Sequence, residues 1–445
     1  MTACVIPAAT WMAIKYEWAE RLLVAAAFFS TSYLIDINFV SMEMYRGDTR
    51  GFEFGVTDWM VISLILVMHL SPRWKKRKLT YFPPNSIPIL LYLLMAMISV
   101  AVSYVAVYSG FGLLKIIRGI SVYWVAFNYL RSEEDIRFVL MVLAAIVCME
   151  FFLVVQQRMV GVYRPPGSTP HSNTLAVYIN MMNMIFFSFM LGDKGRKSTH
   201  KMYWICFCLG SVMVVASLSR GALVSMVLGY TFILMLSFYD KPSTQKWKVI
   251  GILLLVSLPV LVKVAPVIID RFVNAPEESG ASRGYANQAA LAMAKDHPFG
   301  VGLNNYSYAI NETNYVRFID DPVDRGIVHN IYLLHASELG WGGLVTFLIM
   351  IGNFFVIGIK LILKRRNNVV SILATGIVVA MFTLWFQSML EWLFRQTYVT
   401  VEFFMLAGFL AALSRVDVNI IQERKNVRRK KVMLWMAMNR KLVVR

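Results

Sequence analysis

The chain has 445 residues, of which 58% are hydrophobic and only 16% are charged. Soluble domains carry roughly 25% charged residues, so this composition excludes an ordinary soluble protein and is typical of an integral membrane protein. The formal net charge of +18 would suit a nucleic-acid partner, but the basic residues lie in short clusters between apolar runs. That distribution follows the positive-inside rule and indicates loops at a membrane surface, with no nucleic-acid partner.

The apolar runs predict about twelve membrane-spanning helices, since roughly 20 apolar residues are needed to cross a bilayer. In chain order the predicted spans are 17–39, 56–71, 86–108, 111–130, 138–155, 173–191, 203–217, 222–239, 249–266, 339–362, 369–390 and 397–413. The predicted fold is therefore an all-α polytopic integral membrane protein, with residues 1–445 forming a single membrane domain.

The basic links give the orientation of these spans. They follow the second, sixth, eighth, tenth and twelfth spans, all of which are even-numbered. Because basic loops remain in the cytoplasm, both termini are predicted to be cytoplasmic, including the basic tail at 415–445. The odd-numbered links then lie outside. The longest of them, 268–328, is expected to carry part of an active site and to contain a helix near 287–295.

The sequence offers no motif for a metal or a cofactor. The cysteines are Cys4, Cys148, Cys206 and Cys208, and their spacing matches neither a metal site nor a disulfide framework. The Gly300-Val301-Gly302 sequence lacks the preceding strand and the third glycine of a dinucleotide-binding loop, so it predicts a tight turn. Neither a cofactor nor a metal is therefore expected.

Four arginines lie in predicted outer links, where few basic residues are expected: Arg164, Arg220, Arg283 and Arg395. Arg220 stands between two spans with almost no linker, and a charge at a bilayer boundary is costly unless it is solvated or paired. A guanidinium donates two parallel hydrogen bonds, which suits the oxygens of a diphosphate. The pattern indicates an outer anion site, although Arg220 alone is also explained by a side chain that reaches toward the headgroups. Glu391 and Arg395 are expected to form a merely structural pair.

His329, followed by Asn330, ends the outer loop. An imidazole with an unperturbed pKa of about 6.5 is suited to act as a general base, although a lone histidine is more often structural. His335 and Glu338 are three residues apart and are expected to be within contact distance on a helix. The same spacing places two cations, Lys115 and Arg118, on one helix face, where a transporter would use them to line a path.

The order of these motifs resembles the O-antigen ligase and Wzy polymerase superfamily. The resemblance covers roughly 203–362, and the layout of about twelve spans is similar too. It is carried by Ser-Arg-Gly at Arg220 and at Arg283, His-Pro-Phe-Gly-Val-Gly at 297–302, His-Asn-Ile-Tyr-Leu at 329–333 and Glu-Leu-Gly-Trp-Gly-Gly-Leu at 338–344. In addition, His171-Ser172-Asn173 resembles the family's His-Pro-Asn, with Ser172 in place of the proline.

The resemblance implies a glycosyltransferase of the bacterial inner membrane that needs neither a metal nor a nucleotide sugar. Its donor would be a glycan on undecaprenyl diphosphate, and its acceptor a sugar hydroxyl on the periplasmic side. Arg220 and Arg283 would hold the diphosphate, with Arg164 as a further candidate, and His329 would activate or position the acceptor hydroxyl. The implied partners are the donor, an acceptor glycan or lipid A-core, membrane lipids and, as a further candidate, a chain-length regulator.

Four functions stay open at this point. A polymerase would pass the glycan to another lipid-linked repeat, whereas a ligase would pass it to lipid A-core. We favour the polymerase because capsular and exopolysaccharide systems are numerous. A polysaccharide transporter or flippase would use Lys115 and Arg118, and a structural subunit would only support an export complex.

Overall fold

The computed structural model describes residues 2–192, 197–240, 246–251, 277–319, 321, 325–364 and 369–443, together with isolated positions between 252 and 276. The described part is almost entirely helical. Its first helices are α1 Thr2–Lys15, α2 Glu17–Phe29, α3 Val56–Leu70, α4 Pro72–Lys75, α5 Ser86–Ala101, α6 Ala106–Tyr129, α7 Glu133–Met159 and α8 Ser172–Gly192. Those that follow are α9 Lys197–Ala216, α10 Arg220–Asp240, α11 Glu277–Asp296, α12 Tyr306–Glu312, α13 Ile331–Leu363, α14 Val369–Gln387 and α15 Thr397–Val443.

Eight of the described helices are long and apolar enough to cross a membrane: α6, α7, α8, α9, α10, α13, α14 and the first part of α15. This confirms the predicted all-α polytopic fold. The helix predicted near 287–295 is also present, within the longer α11. The predicted span 249–266 lies mostly outside the described residues, so the predicted number of twelve spans stays a prediction.

The first predicted span, 17–39, is wrong beyond Phe29. Helix α2 ends there because the hydroxyls of Ser30, Thr31 and Ser32 donate to backbone carbonyls three residues earlier, at 3.0, 2.7 and 2.6 Å. Such local hydrogen bonds compete with continuation of the helix. The chain then forms an antiparallel hairpin of β1 Asp36–Phe39 and β2 Phe52–Gly55. The short helix α1 ahead of the first predicted span was not predicted.

Several helices begin or end at one end of the bundle. The amide of Ile331, at the start of α13, donates to the carbonyl of Ser388 just beyond α14, at 3.0 Å. Next to this contact, the hydroxyl of Ser225 in the second turn of α10 donates to the side-chain oxygen of Gln387, the last residue of α14, at 3.2 Å. The starts of α10 and α13 therefore lie against the end of α14.

The basic links around Trp74 and Arg131 lie at the opposite end of the bundle. The indole of Trp74 donates to the carboxylate of Glu20 at 2.8 Å, and the amide of Asn419 donates to the carbonyl of Arg131 at 3.0 Å. Helix α15 begins at the first end, and the 18 steps from Thr397 to Arg415 span about 27 Å at 1.5 Å per residue. The two ends are thus separated by roughly the thickness of a membrane core. The cytoplasmic placement of the basic end stays a prediction.

Helix α13 is interrupted at Gly340, whose φ of 70° and ψ of −178° are not helical. The interruption leaves two carbonyls without helical partners. The loop ahead of α13, which we call the outer loop after its predicted placement, binds to them. The amide of Val301 donates to the carbonyl of Ser337 at 2.8 Å, and that of Gly302 donates to the carbonyl of Glu338 at 3.1 Å. The break therefore serves as the attachment point of the loop.

Glycine is required at position 340, and the structure predicts the effect of replacing it. The backbone conformation is one that essentially only glycine adopts, and a Cβ there would lie 2.1 Å from the carbonyl oxygen of Pro298. Gly340→Ala should therefore destabilise the protein by about 2 kcal/mol or more, as a lower unfolding temperature of the purified protein in detergent. The matched control is Gly352→Ala further along α13, where a Cβ would meet no atom within 4 Å. Equal unfolding temperatures for the two variants would contradict the proposed attachment.

Candidate functional site

The carboxylate of Glu391 lies at the centre of a polar network just beyond the end of α14. Its Oε2 lies 2.8 Å from Nδ1 of His329, the residue directly before the cap of α13. Its Oε1 accepts from Nη2 of Arg283 on α11 at 3.2 Å and from the amide of Asn173 on α8 at 3.3 Å. One carboxylate thus connects three parts of the chain that are distant in sequence.

Local sequence explains why His329 lies at this place. The side-chain oxygen of Asn330 accepts from the amides of Tyr332 and Leu333, at 3.0 and 3.1 Å, and so caps α13. The cap ends the outer loop and begins the helix at a defined residue. His329 therefore stands at the first position before the helix, at the same level as the end of α14.

Arg164 extends the network toward the turn between α9 and α10. Its Nη2 donates to the side-chain oxygen of Asn173 at 2.7 Å, and its Nε donates to the carbonyl of Ser217 at 2.8 Å. Asn173 therefore joins Arg164 to Glu391. The His171-Ser172-Asn173 sequence thus contributes its asparagine to the site.

Arg220 is the first residue of α10, three residues after Ser217. Among the described residues, its guanidinium has no hydrogen-bond or ion-pair partner. The next residue, Gly221, faces Gln387, since a Cβ there would lie 3.2 Å from the Gln387 side chain. Gln387 is four residues before Glu391 in the chain, so Arg220 lies beside the network without joining it.

The structure therefore brings three of the four predicted site residues into one connected set: Arg164, Arg283 and His329. The connection runs through Asn173 and Glu391, neither of which was predicted as a site residue. The chemical roles of Arg164, Arg220, Arg283 and His329 stay predictions.

The predicted Glu391–Arg395 pair is wrong. The four-residue spacing suggests contact on an α-helix, but the segment between the two residues contains a 3-10 turn, Leu393–Arg395. Arg395 instead donates from Nε to the carboxylate of Asp48 at 2.6 Å and from Nη1 to that of Glu338 at 2.8 Å. Because Arg395 pairs with other carboxylates, Glu391 binds His329 and Arg283 instead.

A second cation joins Arg395. The ammonium of Lys115 donates to the carbonyl of Arg395 at 2.8 Å and lies 3.7 Å from the carboxylate of Asp48. We call Asp48, Lys115, Glu338 and Arg395 the buried ion cluster, since each of these side chains is at most 6% exposed. It contains two acids and two bases, so its formal charges cancel. The cluster attaches the segment that follows Glu391 to α6 and α13.

Two other predicted arrangements differ from the structure. The ring of His335 packs on Phe347, and its Nε2 lies 3.0 Å from the hydroxyl of Tyr92, so it does not face Glu338. Arg118, a candidate for a transport path, donates to the carboxylate of Asp58 at 2.8 Å and also faces Asp36 and Glu53 on the hairpin. Both predicted path cations, Lys115 and Arg118, are thus bound to acidic partners.

The opposite charges within the buried ion cluster determine the pKa values of its members. Burial by itself would raise the pKa of the Asp48 carboxyl, but the positive charges of Arg395 and Lys115 outweigh it, so that pKa lies below its ordinary value. For the Arg395 guanidinium, burial acts to lower the pKa, whereas the carboxylates of Asp48 and Glu338 raise it above its ordinary value. Both groups are therefore charged at neutral pH.

Comparison with known families agrees with this architecture. Residues 205–348 match the family model described as O-antigen ligase. This match supports the predicted resemblance to the O-antigen ligase and Wzy polymerase superfamily. The matched domain supports a membrane glycosyltransferase of the O-antigen ligase or polymerase type that acts on a glycan, and the many apolar helices together with the domain indicate a multi-pass protein of the bacterial inner membrane. No curated protein matches the chain.

The matched segment contains only part of the candidate site. Arg220, Arg283 and His329 lie inside it, whereas Arg164 and Glu391 lie outside it. The two outside residues reach the matched segment only through the fold, at distances of 2.8 to 3.2 Å.

Removal of one acid from the buried ion cluster should destabilise the protein. Asp48→Asn leaves Arg395 and Lys115 buried without their shared counter-charge, which costs about 3 to 5 kcal/mol. Glu43→Gln makes the same chemical change at an exposed position of the same loop, and should leave the unfolding temperature nearly unchanged.

The same variant tests the pH dependence. The stabilisation from the Asp48 carboxylate is present above its ordinary pKa of 3.8 and is lost as the pH falls through its lower folded value. The unfolding temperature of the wild-type protein should thus fall more steeply with acidification than that of Asp48→Asn. Parallel pH curves would show that Asp48 is not ion-paired as described.

Proposed function

We propose that this protein transfers a glycan from undecaprenyl diphosphate to an acceptor sugar hydroxyl on the periplasmic side of the inner membrane, as a polymerase. The observation that supports this most directly is the set of side chains around Glu391. A histidine and two arginines from separate segments are gathered at one end of the bundle, with Arg220 beside them and without a partner of its own among the described residues.

The arginines suit a diphosphate. Arg220 is free of ion pairs among the described residues, and the Arg283 side chain is 37% exposed, so both guanidinium groups are open to a ligand. Each presents a planar pair of donors that matches two phosphate oxygens. Arg164 lies one residue further away, behind Asn173, and adds positive charge to the site.

The position of the site suits a lipid-linked substrate. Arg220 begins a helix long and apolar enough to cross the membrane, so its backbone lies near the level of the headgroups. A polyprenyl chain remains in the hydrocarbon layer, and its diphosphate reaches the same level. A donor can therefore bind Arg220 and Arg283 without leaving the bilayer.

The chemistry is a displacement at the anomeric carbon. With Nδ1 of His329 hydrogen bonded to Glu391, its Nε2 is the nitrogen left to receive a proton. The acceptor hydroxyl gives its proton to Nε2 while its oxygen forms a bond to the anomeric carbon. The bond from that carbon to the diphosphate oxygen breaks, and the electron pair leaves with undecaprenyl diphosphate. The arginines stabilise the negative charge that develops on this leaving group.

The nature of the acceptor separates polymerase from ligase. In the polymerase role the product is a longer glycan that is still attached to the lipid carrier. In the ligase role it is lipid A-core that carries the glycan. Incubation of the purified protein with lipid-linked donor, with and without lipid A-core, distinguishes the two products by gel mobility and mass.

Two substitutions test the site. His329→Ala should lower glycan transfer by about 100-fold or more, because it removes the proposed base. Arg220→Ala should cause a similar loss, because the leaving diphosphate loses one of its two main cationic partners. Transfer is measured in membranes or with purified protein and lipid-linked donor, alongside the unfolding temperature as a check of folding.

The matched control is Arg317→Ala. Arg317 is exposed in the outer loop that precedes His329, and it takes no part in the network around Glu391. Its loss should therefore leave the rate of glycan transfer close to that of the wild-type protein. Near-normal transfer by both His329→Ala and Arg220→Ala would rule out the proposed site.

A further inference from the structure

We infer that Glu391 is a positioning residue that couples donor binding to activation of the acceptor. The inference rests on the proposed function and concerns a residue outside the segment that matches the family. Glu391 would not touch either substrate. It would act through His329 on one side and through Arg283 on the other.

The two oxygens of Glu391 have different partners. Among the described residues, Oε2 contacts only Nδ1 of His329, at 2.8 Å, whereas Oε1 accepts from Arg283 at 3.2 Å and from Asn173 at 3.3 Å. The Glu391 side chain is only 12% exposed, while those of Arg283 and His329 are 37% and 39% exposed. Ligands from the outer face can therefore reach the arginine and the histidine, but not the carboxylate behind them.

On the histidine side, the carboxylate selects the useful form of the ring. An Nδ1–H that donates to Glu391 leaves the lone pair on Nε2, where the acceptor proton must go. The same negative charge then stabilises the imidazolium that forms when Nε2 takes that proton. Without Glu391, neither the tautomer nor the orientation of the ring of His329 is fixed by an ionic partner among the described residues.

On the arginine side, the carboxylate and the donor compete for the same guanidinium. Arg283 has one ionic partner among the described residues, Glu391. A diphosphate carries more negative charge than one carboxylate, so the guanidinium is expected to turn toward it when the donor binds. Oε1 of Glu391 then loses its cationic neighbour, and the negative charge of the carboxylate acts more fully on His329.

Asn173 keeps the carboxylate in place during this exchange. Its amide donates to Oε1 of Glu391, and its oxygen is held by Arg164, at 2.7 Å. Glu391 can therefore release Arg283 and remain directed at His329. The acceptor is activated most strongly when the donor is bound, which limits unproductive reactions of an empty site.

The test is Glu391→Gln, which keeps the shape of the side chain and removes its charge. Two effects of opposite direction are expected. Turnover with saturating lipid-linked donor should fall by about 100-fold or more, as when a catalytic histidine loses its carboxylate. The affinity for undecaprenyl diphosphate should rise by about twofold to fivefold, because Arg283 loses a partly exposed competitor of modest strength. Binding is measured on purified protein in nanodiscs with undecaprenyl diphosphate itself as the probe.

If Glu391 only stabilised the fold, its replacement would weaken both the binding of undecaprenyl diphosphate and the turnover. A rise in affinity together with a fall in turnover therefore decides the question. The control is Glu312→Gln, which changes an exposed carboxylate in the outer loop that holds Arg283. It should change neither the binding of undecaprenyl diphosphate nor the turnover. Should Glu391→Gln fail to fold, Glu391→Asp keeps the charge with a shorter reach. It should reduce turnover by roughly tenfold while leaving the affinity for undecaprenyl diphosphate unchanged.

Unchanged or weaker binding of undecaprenyl diphosphate by Glu391→Gln, or turnover close to the wild-type rate, would overturn the inference. His329→Ala is measured in parallel to separate this result from the proposed function. An inactive His329→Ala together with a fully active Glu391→Gln refutes only the role of Glu391. Full activity of both variants refutes the proposed site as well.

Discussion

The carboxylate of Glu391, which binds Arg283 and His329, is the group on which the polar network at this end of the bundle depends. Without that carboxylate, the Arg283 guanidinium would have no counter-charge among the described residues, and Nδ1 of His329 would have no acceptor there. A guanidinium without a counter-charge repels other cations, so a bound anion would have to take the place of Glu391. Glu391 thus allows a cationic site to exist before its anionic substrate arrives.

Two buried features keep Glu391 in position. The buried ion cluster fixes Arg395, four residues further along the chain, to α6 and α13. The break at Gly340 attaches the outer loop to α13, close to Glu338 of the same cluster. The outer loop, the hairpin and the segment that follows Glu391 are therefore all attached to the buried ion cluster or to the break in α13 next to it. Because the formal charges of the buried ion cluster cancel, it holds these segments together without adding to the positive charge of the site around Glu391.

Sequence patterns predicted the helices well where a single face or a full apolar run decides the structure, as for α3, α8 and α14. They failed where other contacts decide it. The hydroxyls that end α2 bond to carbonyls only three residues away, and the hairpin that meets Arg118 is held by a contact distant in sequence, but no apolar run indicates either. For Glu391, the neighbouring Arg395 was the obvious partner. Only the fold shows that Asp48 and Glu338 bind that arginine instead.

A structure of the protein in nanodiscs with undecaprenyl diphosphate bound tests the account most directly. We predict that the diphosphate lies at the end of the bundle that holds Glu391, within hydrogen-bonding distance of Arg220 and Arg283. Arg283 should have moved away from Glu391, and His329 should still face it. Density for the diphosphate at the opposite end, among the basic residues around Arg73 and Arg77, would contradict the account.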